Sequence, residues 1–176
     1  MKNWIMLIIM CITLYIIVGN VLAKGNIIPE DAIRIRVIAN SNSDYDQNIK
    51  LRVKEQVEKD MYELLKNKKD IEEVRNTIKN NIEKEQENIS TILKQENYQL
   101  PFEINYGYNY FPEKEFKGIK YKEGYYESLV VTLGEGLGDN WWCVLFPPLC
   151  MIEAEETTDV EYTSMFQEII NKYVKK

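Results

Sequence analysis

Apolar and polar residues alternate strictly over residues 32–39, just beyond the N-terminal apolar run. The two sides of this alternation are Ile33, Ile35 and Val37, and Arg34, Arg36 and Ile38. A period of two is typical of a half-buried β-strand. Residues 40–46 then concentrate Asn, Ser and Asp, whose side chains form local turns and helix caps. We therefore predict a strand that ends in a polar loop and leads into a helix.

Helical periodicity fills the middle of the chain. Apolar residues recur three or four positions apart in residues 46–67. They do so again from Asp70, a predicted N-cap, to about Gln95, except for a gap between Ile82 and Ile89. The first stripe is Ile49, Val53, Val57, Met61 and Leu64 or Leu65, and the second is Ile71, Val74, Ile78, Ile82, Ile89 and Leu93. Because the other faces are polar, both helices are expected to pack on one side of a sheet rather than to form a coiled coil.

The C-terminal half returns to strand patterns. Its segments are an aromatic alternating strand at residues 98–111, a Lys- and Glu-rich excursion at 113–124, an apolar strand at 128–133 and an aromatic strand at 141–146. Pro147 and Pro148 must end that last strand because they lack backbone donors. We interpret the glycines at 134, 136 and 138 as a hairpin turn, since a phosphate-binding loop would need a following helix and a lysine.

These elements predict an α+β fold with an N-terminal strand, two amphipathic helices, a mainly antiparallel sheet and a terminal helix. At 176 residues, 45% of them apolar and 28% charged, the chain suits one domain with a leader. The predicted segments are a signal peptide or N-terminal membrane anchor at 1–23, an exposed lead-in at 24–31, a single α+β domain at 32–152, and an acidic linker with the terminal helix at 153–176.

The N-terminus has the order of a secretory leader. Lys2 is followed by a run from Trp4 to Val18 that is apolar except for Thr13, and then by Gly19, Asn20 and a short apolar end at Ala23. Cleavage after Ala23 would release an exported protein. Left uncleaved, the same run could anchor the chain in a bilayer, which takes about 20 apolar residues.

Composition and charge argue against several classes of function. The net charge is -6 at pH 7, so the chain lacks the basic surface that nucleic acid binding requires. Histidine is absent, and with it the usual general base and the most common zinc ligand. We therefore expect a protein that is not an enzyme, with no cofactor, no metal and no small-molecule substrate, although carboxylate pairs remain open on composition alone.

Cys143 and Cys150 flank the two prolines. In an exported protein they can form a disulfide if their Cα atoms come within about 7 Å of each other. The alternative is that both are small buried side chains in the reduced state. Their separation of seven positions differs from the two-residue gap of redox motifs.

Two further features allow a functional or a structural interpretation. Arg34 and Arg36, next to the loop at 40–46, form either an anion or peptide contact or solvated outward positions beside a helix cap. The tyrosines of residues 98–111 form either a glycan-binding platform or a part of the core with hydroxyls at its rim.

Two motifs resemble the stage II sporulation protein R family of endospore-forming bacteria. They are AIRIRVIANSNSD at residues 32–44, followed by Asp46 and Gln47, and LGEGLGDNWWCVLFPPLC at residues 133–150. The resemblance implies an exported signal rather than an enzyme. It implies a protein made in the forespore and exported into the space between the forespore and mother-cell membranes. There such proteins activate a membrane-bound aspartic peptidase, which processes the sigma-E precursor in the mother cell.

On this resemblance the peptidase is the expected receptor, and the export machinery is a partner through the leader. The expected receptor contacts are Asn140, Trp141 and Trp142, followed by Arg34, Arg36, Asn40 and Asp44, because Trp and Arg dominate binding hot spots. Trp141 and Trp142 should face opposite sides of a strand, which places at least one in the core. The rival functions are a cell-wall-binding module that uses the aromatic faces, and an enzyme that uses Cys143 or the carboxylates Glu113 and Glu115.

Overall fold

The computed structural model describes residues 31–116 and 119–148, Pro29 and four isolated positions near the N-terminus (4, 6, 10 and 13); for residues 115, 116, 119 and 120 it describes the backbone alone. The described elements are β1 (Ile33–Ile38), α1 (Asp44–Leu65), α2 (Ile71–Gln95), β2 (Phe102–Phe111), β3 (Lys114–Phe116), β4 (Ile119–Tyr121), β5 (Gly124–Leu133) and β6 (Asn140–Phe146). The predicted α+β class is confirmed. The expected leader, acidic linker and terminal helix lie outside the described residues, apart from the isolated N-terminal positions. Among the helices of the described part, none is long and apolar enough to cross a membrane.

Four strands form one mixed sheet in the order β2-β5-β1-β6. β5 lies antiparallel to β2 and parallel to β1, and β6 lies antiparallel to β1. The hairpin predicted between β5 and β6 is therefore wrong, because β1 lies between these strands. The glycine segment instead crosses the end of β1. Turn signals in the sequence do not reveal this strand order, because β1, which lies between β5 and β6, comes from the opposite half of the chain.

Both helices pack on one face of the sheet, as their apolar stripes predict. The core joins aliphatic residues of β1, β5 and the two helices, among them Ile35, Val37, Leu129, Val131, Val53, Val57, Ile78 and Ile89. The helices begin at side-chain caps: Ser43 accepts from the N–H of Asp46, and Asp70 accepts from those of Glu72 and Glu73. Burial of each aliphatic side chain contributes about 1.5–3 kcal/mol, so the stripes fix both helices on the sheet.

The opposite face of the sheet has no helix among the described residues. Alternation places Arg34 and Arg36 of β1 there, together with Tyr126 of β5 and Trp142 of β6. The small β3-β4 hairpin contributes Tyr121, whose ring centroid lies 4.9 Å from that of Trp142. Aromatic rings therefore cover this face where a helix covers the other.

Candidate functional site

The two sequence motifs meet at one end of the sheet, as two interlocked loops at residues 40–43 and 134–139. Asn40 joins them, because its Nδ2 donates to Asp46 Oδ2 over 2.9 Å and its Oδ1 accepts from the N–H of Glu135 over 3.0 Å. The backbones also pair: the N–H of Leu137 donates to the carbonyl oxygen of Asn40, and that of Gly138 donates to that of Ala39. Asn40, an expected receptor contact, thus has a structural role at this end of the sheet.

Asp46 anchors the first of the interlocked loops from within α1. Its carboxylate is buried and accepts from Ser41 Oγ over 2.5 Å as well as from Asn40. The hydrogen bonds from Ser41 and Asn40 hold the pKa of Asp46 below its usual range, although burial acts in the opposite direction. Asp46 is therefore an ionised anchor at neutral pH.

Glycine is required at two positions of the second loop. Gly134 has a φ of +56°, and a Cβ there would lie 2.7 Å from Cγ of Asn40. A Cβ at Gly138 would lie 2.6 Å from the carbonyl carbon of Ser41. These glycines allow the two loops to approach each other closely, which is a different reason from the hairpin turn that the sequence suggested.

Polar side chains of the first motif complete the contact between the loops. Asn42 Oδ1 accepts from the N–H of Asp139 over 2.6 Å, and Gln47 Nε2 donates to the carbonyl oxygen of Ser41 over 2.9 Å. Lys50 Nζ donates to Gln47 Oε1 over 2.6 Å and to the carbonyl oxygen of Asp139 over 3.3 Å. Burial lowers the pKa of Lys50, partly offset by the charge of Asp139. The start of α1 is thereby fixed to the second loop.

The outer face of the sheet forms an arginine-aromatic layer, made of Arg34, Arg36, Phe111, Tyr121, Tyr126 and Trp142. Arg34 is only 6% exposed, and its Cζ lies 3.4 Å from the ring centroid of Tyr126. Arg36 is half-buried, with Cζ 5.5 Å from the ring centroid of Phe111 and Nη1 donating to the carbonyl oxygen of Tyr110 over 3.3 Å. The interpretation of these arginines as solvated is therefore wrong for Arg34, because rings from neighbouring strands cover it.

Trp141 and Trp142 lie on opposite faces of β6, as their adjacency predicted. Trp142 is opposite Arg36, and its ring centroid lies 5.8 Å from that of Phe111. Trp141 is opposite Val37 and packs against the core, with Lys54 Nζ 5.2 Å from its ring centroid. Both indoles are half-buried, so each keeps part of its surface available to a partner.

The expected receptor contacts separate into four places. Arg34, Arg36, Asn140 and Trp142 follow one row on the outer face, since Asn140 is opposite Ile38 at the end of that row. Asn40 lies within the interlocked loops, and Asp44 is exposed in the first turn of α1. Trp141 is on the helix side. The structure therefore brings four of the seven residues onto one face.

The tyrosine row of β2 divides at Gly107. Tyr106 packs against the core, and its hydroxyl donates to Glu127 Oε1 over 2.8 Å. Tyr108 is 72% exposed, while Tyr110 and Tyr125 are exposed with ring centroids 5.6 Å apart. The core interpretation thus holds for Tyr106, and the other three form an exposed aromatic group.

A half-buried ion pair joins α2 to the sheet. Arg75 donates to Glu127 through Nε over 2.9 Å and through Nη2 over 2.7 Å. Burial acts to raise the pKa of Glu127, but the hydrogen bonds from Arg75 and Tyr106 outweigh it and hold that pKa below its usual range. The sequence did carry a signal for this pair, since Glu127 is a lone charge on the inward side of β5.

A second buried carboxyl group lies between the helices. Glu85 of α2 is 2% exposed, and burial together with the negative charge of Asp60 on α1 raises the pKa of Glu85 to about 8. Asp60 Oδ2 accepts from Gln56 Nε2 and from Asn88 Nδ2, each over 2.8 Å. The apolar stripe of α2 is interrupted at this point, between Ile82 and Ile89. Glu85 is therefore a neutral acid in the folded protein at pH 7.

Cys143 lies opposite Ile35 on the helix side of β6, whereas Cys150 lies outside the described residues. We expect a secreted form that lacks residues 1–23 to show no titratable thiol in denaturant until it is reduced, and two thiols afterwards. A Cys150→Ser variant serves as the control, because it leaves Cys143 as a free thiol to titrate. Two thiols in the unreduced protein would contradict the predicted disulfide.

The described residues contain no group of three or more Cys, Asp or Glu side chains that could hold a metal ion. Glu113 is exposed, and the side chain of Glu115 lies outside the described residues. Cys143 packs against the core from the helix side of β6. The candidate functional sites in the described part of the chain are therefore the interlocked loops and the arginine-aromatic layer.

Comparison with known proteins gives one family. The family model described as stage II sporulation protein R matches residues 29–156. Stage II sporulation protein R of Bacillus subtilis (strain 168) is 36% identical over 127 residues, which are 72% of this chain and 57% of that protein. The chain thus spans less than two thirds of that relative's length. No solved structure matches the chain significantly. The range matched by the family model includes both interlocked loops and the whole arginine-aromatic layer.

Proposed function

Because the chain belongs to the stage II sporulation protein R family, we propose that it is an exported signalling protein that activates the membrane-bound aspartic peptidase processing the sigma-E precursor. In this proposal the leader at residues 1–23 engages the export machinery, and the protein acts between the forespore and mother-cell membranes. The observation that carries the proposal is the family match over residues 29–156, which supports a role in sporulation signalling.

A signal of this kind acts by binding. A ligand can favour the active arrangement of a receptor only if it binds that arrangement better than the inactive one. A rigid surface suits this task, because little conformational entropy is lost on binding. The outer row of β1 and β6 is such a surface, since packed rings hold its side chains in place.

We place the receptor contact on this row, with Trp142, Asn140 and Arg36 as direct contacts, and keep Asp44, which is exposed in the first turn of α1, as a separate contact. Arg34 is buried behind the rings and Asn40 is bound between the loops, so both position the surface. Trp141 lies on the other face and contributes from the edge of the sheet.

Reconstitution in a non-sporulating bacterial host tests the function. The host would express the receptor peptidase, its sigma precursor, and this protein with or without residues 1–23. Processing that requires both the protein and its leader is the expected result. Absence of processing with a verified, exported protein would refute the receptor proposal for this pair.

Trp142→Ala is expected to reduce processing about 10-fold or more at equal protein level, because loss of a Trp hot spot weakens binding by about 2 kcal/mol or more. The matched control is Tyr108→Ala, which removes an exposed ring from another part of the sheet and should leave processing unchanged. Immunoblots of the exported fraction verify that both variants accumulate. Normal processing by an accumulating Trp142→Ala variant would contradict the assigned contact.

Binding to cell-wall polymer is the second candidate function, and the exposed group Tyr108, Tyr110 and Tyr125 favours it. Sedimentation with purified peptidoglycan distinguishes the two candidates. Retention that is lost when Tyr108 and Tyr125 are changed to alanine would support wall binding, whereas the receptor proposal requires no such retention.

A further inference from the structure

Arg34 and Arg36 lack an anionic partner among the described residues. Nε and Nη1 of Arg34 and Nε of Arg36 are buried and make no hydrogen bond. None of the ion pairs within the described ranges involves either guanidinium. A buried charge that is left without a partner is strongly destabilising. The protein nevertheless places two such charges side by side on one face of β1.

The aromatic rings stabilise these cations from only one direction. Arg34 lies over the face of Tyr126, with Cζ 3.4 Å from the ring centroid. All five N–H bonds of a guanidinium lie in its own plane, so a stacked ring cannot accept from them. The acceptor that fits the edge of a guanidinium is a planar carboxylate, which can take two parallel hydrogen bonds.

The electrostatics of the two arginines show the same deficit. Burial lowers the pKa of Arg34, and the electrostatic interaction and side-chain hydrogen bond with Tyr126, together with the electrostatic interaction with Tyr121, offset this only in part. Burial alone lowers the pKa of Arg36. Arg75, in contrast, has its pKa raised by hydrogen bonds to Glu127 and Glu72. Because arginine stays protonated in proteins, the layer carries two permanent positive charges.

We propose that Arg34 and Arg36 form a carboxylate-binding site, and that its occupant is the acidic segment of this chain at residues 153–159. This segment contains four carboxylates, Glu153, Glu155, Glu156 and Asp159. β6 leads the chain to the site, because Val144 is opposite Arg34 and Phe146 is opposite Ile33.

The chain between Pro148 and the acidic segment is long enough to reach the arginines and short enough to keep the segment close to them. Residues 149–156 can extend about 27 Å beyond Pro148. This exceeds the roughly 20 Å that six strand residues span between Pro148 and Trp142, which is opposite Arg36. Attachment by so short a segment gives an effective concentration on the order of millimolar, which no free carboxylate at low concentration would match. The inference concerns the isolated chain, and a receptor that contacts Arg36 would have to displace the segment from it.

A double-mutant cycle on the full chain tests the site. One change neutralises the segment, as Glu153→Gln, Glu155→Gln, Glu156→Gln and Asp159→Asn together, and the other is Arg36→Gln. Urea unfolding gives the equilibrium constant between folded and unfolded protein for each variant. Neutralisation is expected to lower the folded-to-unfolded ratio about 10-fold when Arg36 is present, the effect of a charge-assisted hydrogen bond, and to have a clearly smaller effect in Arg36→Gln, where Arg34 alone remains. Arg36→Lys retains the charge without the planar fork, so it should preserve part of the coupling even if Arg36→Gln is poorly folded.

Two controls identify the occupant. Neutralising four exposed helical carboxylates, Glu55, Glu63, Glu83 and Glu87, changes the net charge equally and should act the same in both arginine backgrounds. A synthetic peptide of residues 153–159 should bind the neutralised chain and not the intact one. Additive effects of the segment and Arg36 would overturn the proposed site. Equal binding of the peptide to both chains would overturn the assignment of the segment as its occupant.

Discussion

Gly138→Ala is expected to lower the free energy of unfolding by roughly 3 kcal/mol, because the new methyl group would overlap backbone atoms rather than a mobile side chain. The Cβ would lie 2.6 Å from the carbonyl carbon of Ser41 and 3.0 Å from Cβ of Ala39. Separating the loops would break the hydrogen bond from Gly138 N–H to the carbonyl oxygen of Ala39. Urea unfolding followed by circular dichroism measures the loss.

Gly107→Ala is the matched control for this substitution. The nearest atom to a Cβ at that position is Asn105 Oδ1, at 3.8 Å, which is an ordinary contact. We expect a change within about 1 kcal/mol, and a gain is possible because alanine restricts the unfolded chain. If the two alanine variants had equal stability, the close approach of the loops would not be a source of stability.

Raising the pH from 5 to 8 is expected to lower the free energy of unfolding through Glu85, by up to about 4 kcal/mol. The pKa of this group is about 8 in the folded protein and near its ordinary value of 4.5 in the unfolded chain. Between these values the folded state holds a proton that the unfolded state has released, so stability falls as the pH rises and levels off above pH 8. Glu85→Gln keeps the shape and removes the titration, and should abolish this slope.

Glu83→Gln is the control for that pH profile, because Glu83 is exposed on the same helix and the slope should persist without it. Titration of Asp46 and Glu127 does not contribute to the slope of stability between pH 5 and 8. Their pKa values are lowered in the folded protein, so the stability that they contribute is lost only as the pH falls into the acid range. A Glu85→Gln variant with an unchanged slope between pH 5 and 8 would show that another group titrates there.

Periodic elements could be predicted from the sequence, because their signals are local. α2 begins after the predicted cap Asp70 and ends at Gln95, as expected from its stripe and its cap. The alternation of β1 assigned Ile33, Ile35 and Val37 to the core correctly. In each case the burial of neighbouring side chains follows a period that the chain itself displays.

The partners of β1 could not be predicted in the same way. Gly134, Gly136 and Gly138 fit a hairpin turn as well as a loop that crosses a strand, since both need glycine for local backbone reasons. The burial of Arg34 was missed for a related reason. Alternation distinguishes the two faces of a strand, but it does not predict that the rings of Tyr126 and Phe111 cover the polar face. Information of this kind depends on contacts between distant segments.

The central position of β1 also governs the time at which the molecule can fold. Its neighbours β5 and β6 lie about 100 residues further along the chain, and pairing over such separations is slow. In a chain that emerges from a ribosome or a translocation channel by its N-terminus, β1 and both helices appear well before either neighbour. The sheet can be completed only after residue 146 has emerged. Such a chain stays loosely organised during passage through a narrow channel and acquires its cooperative structure on the far side.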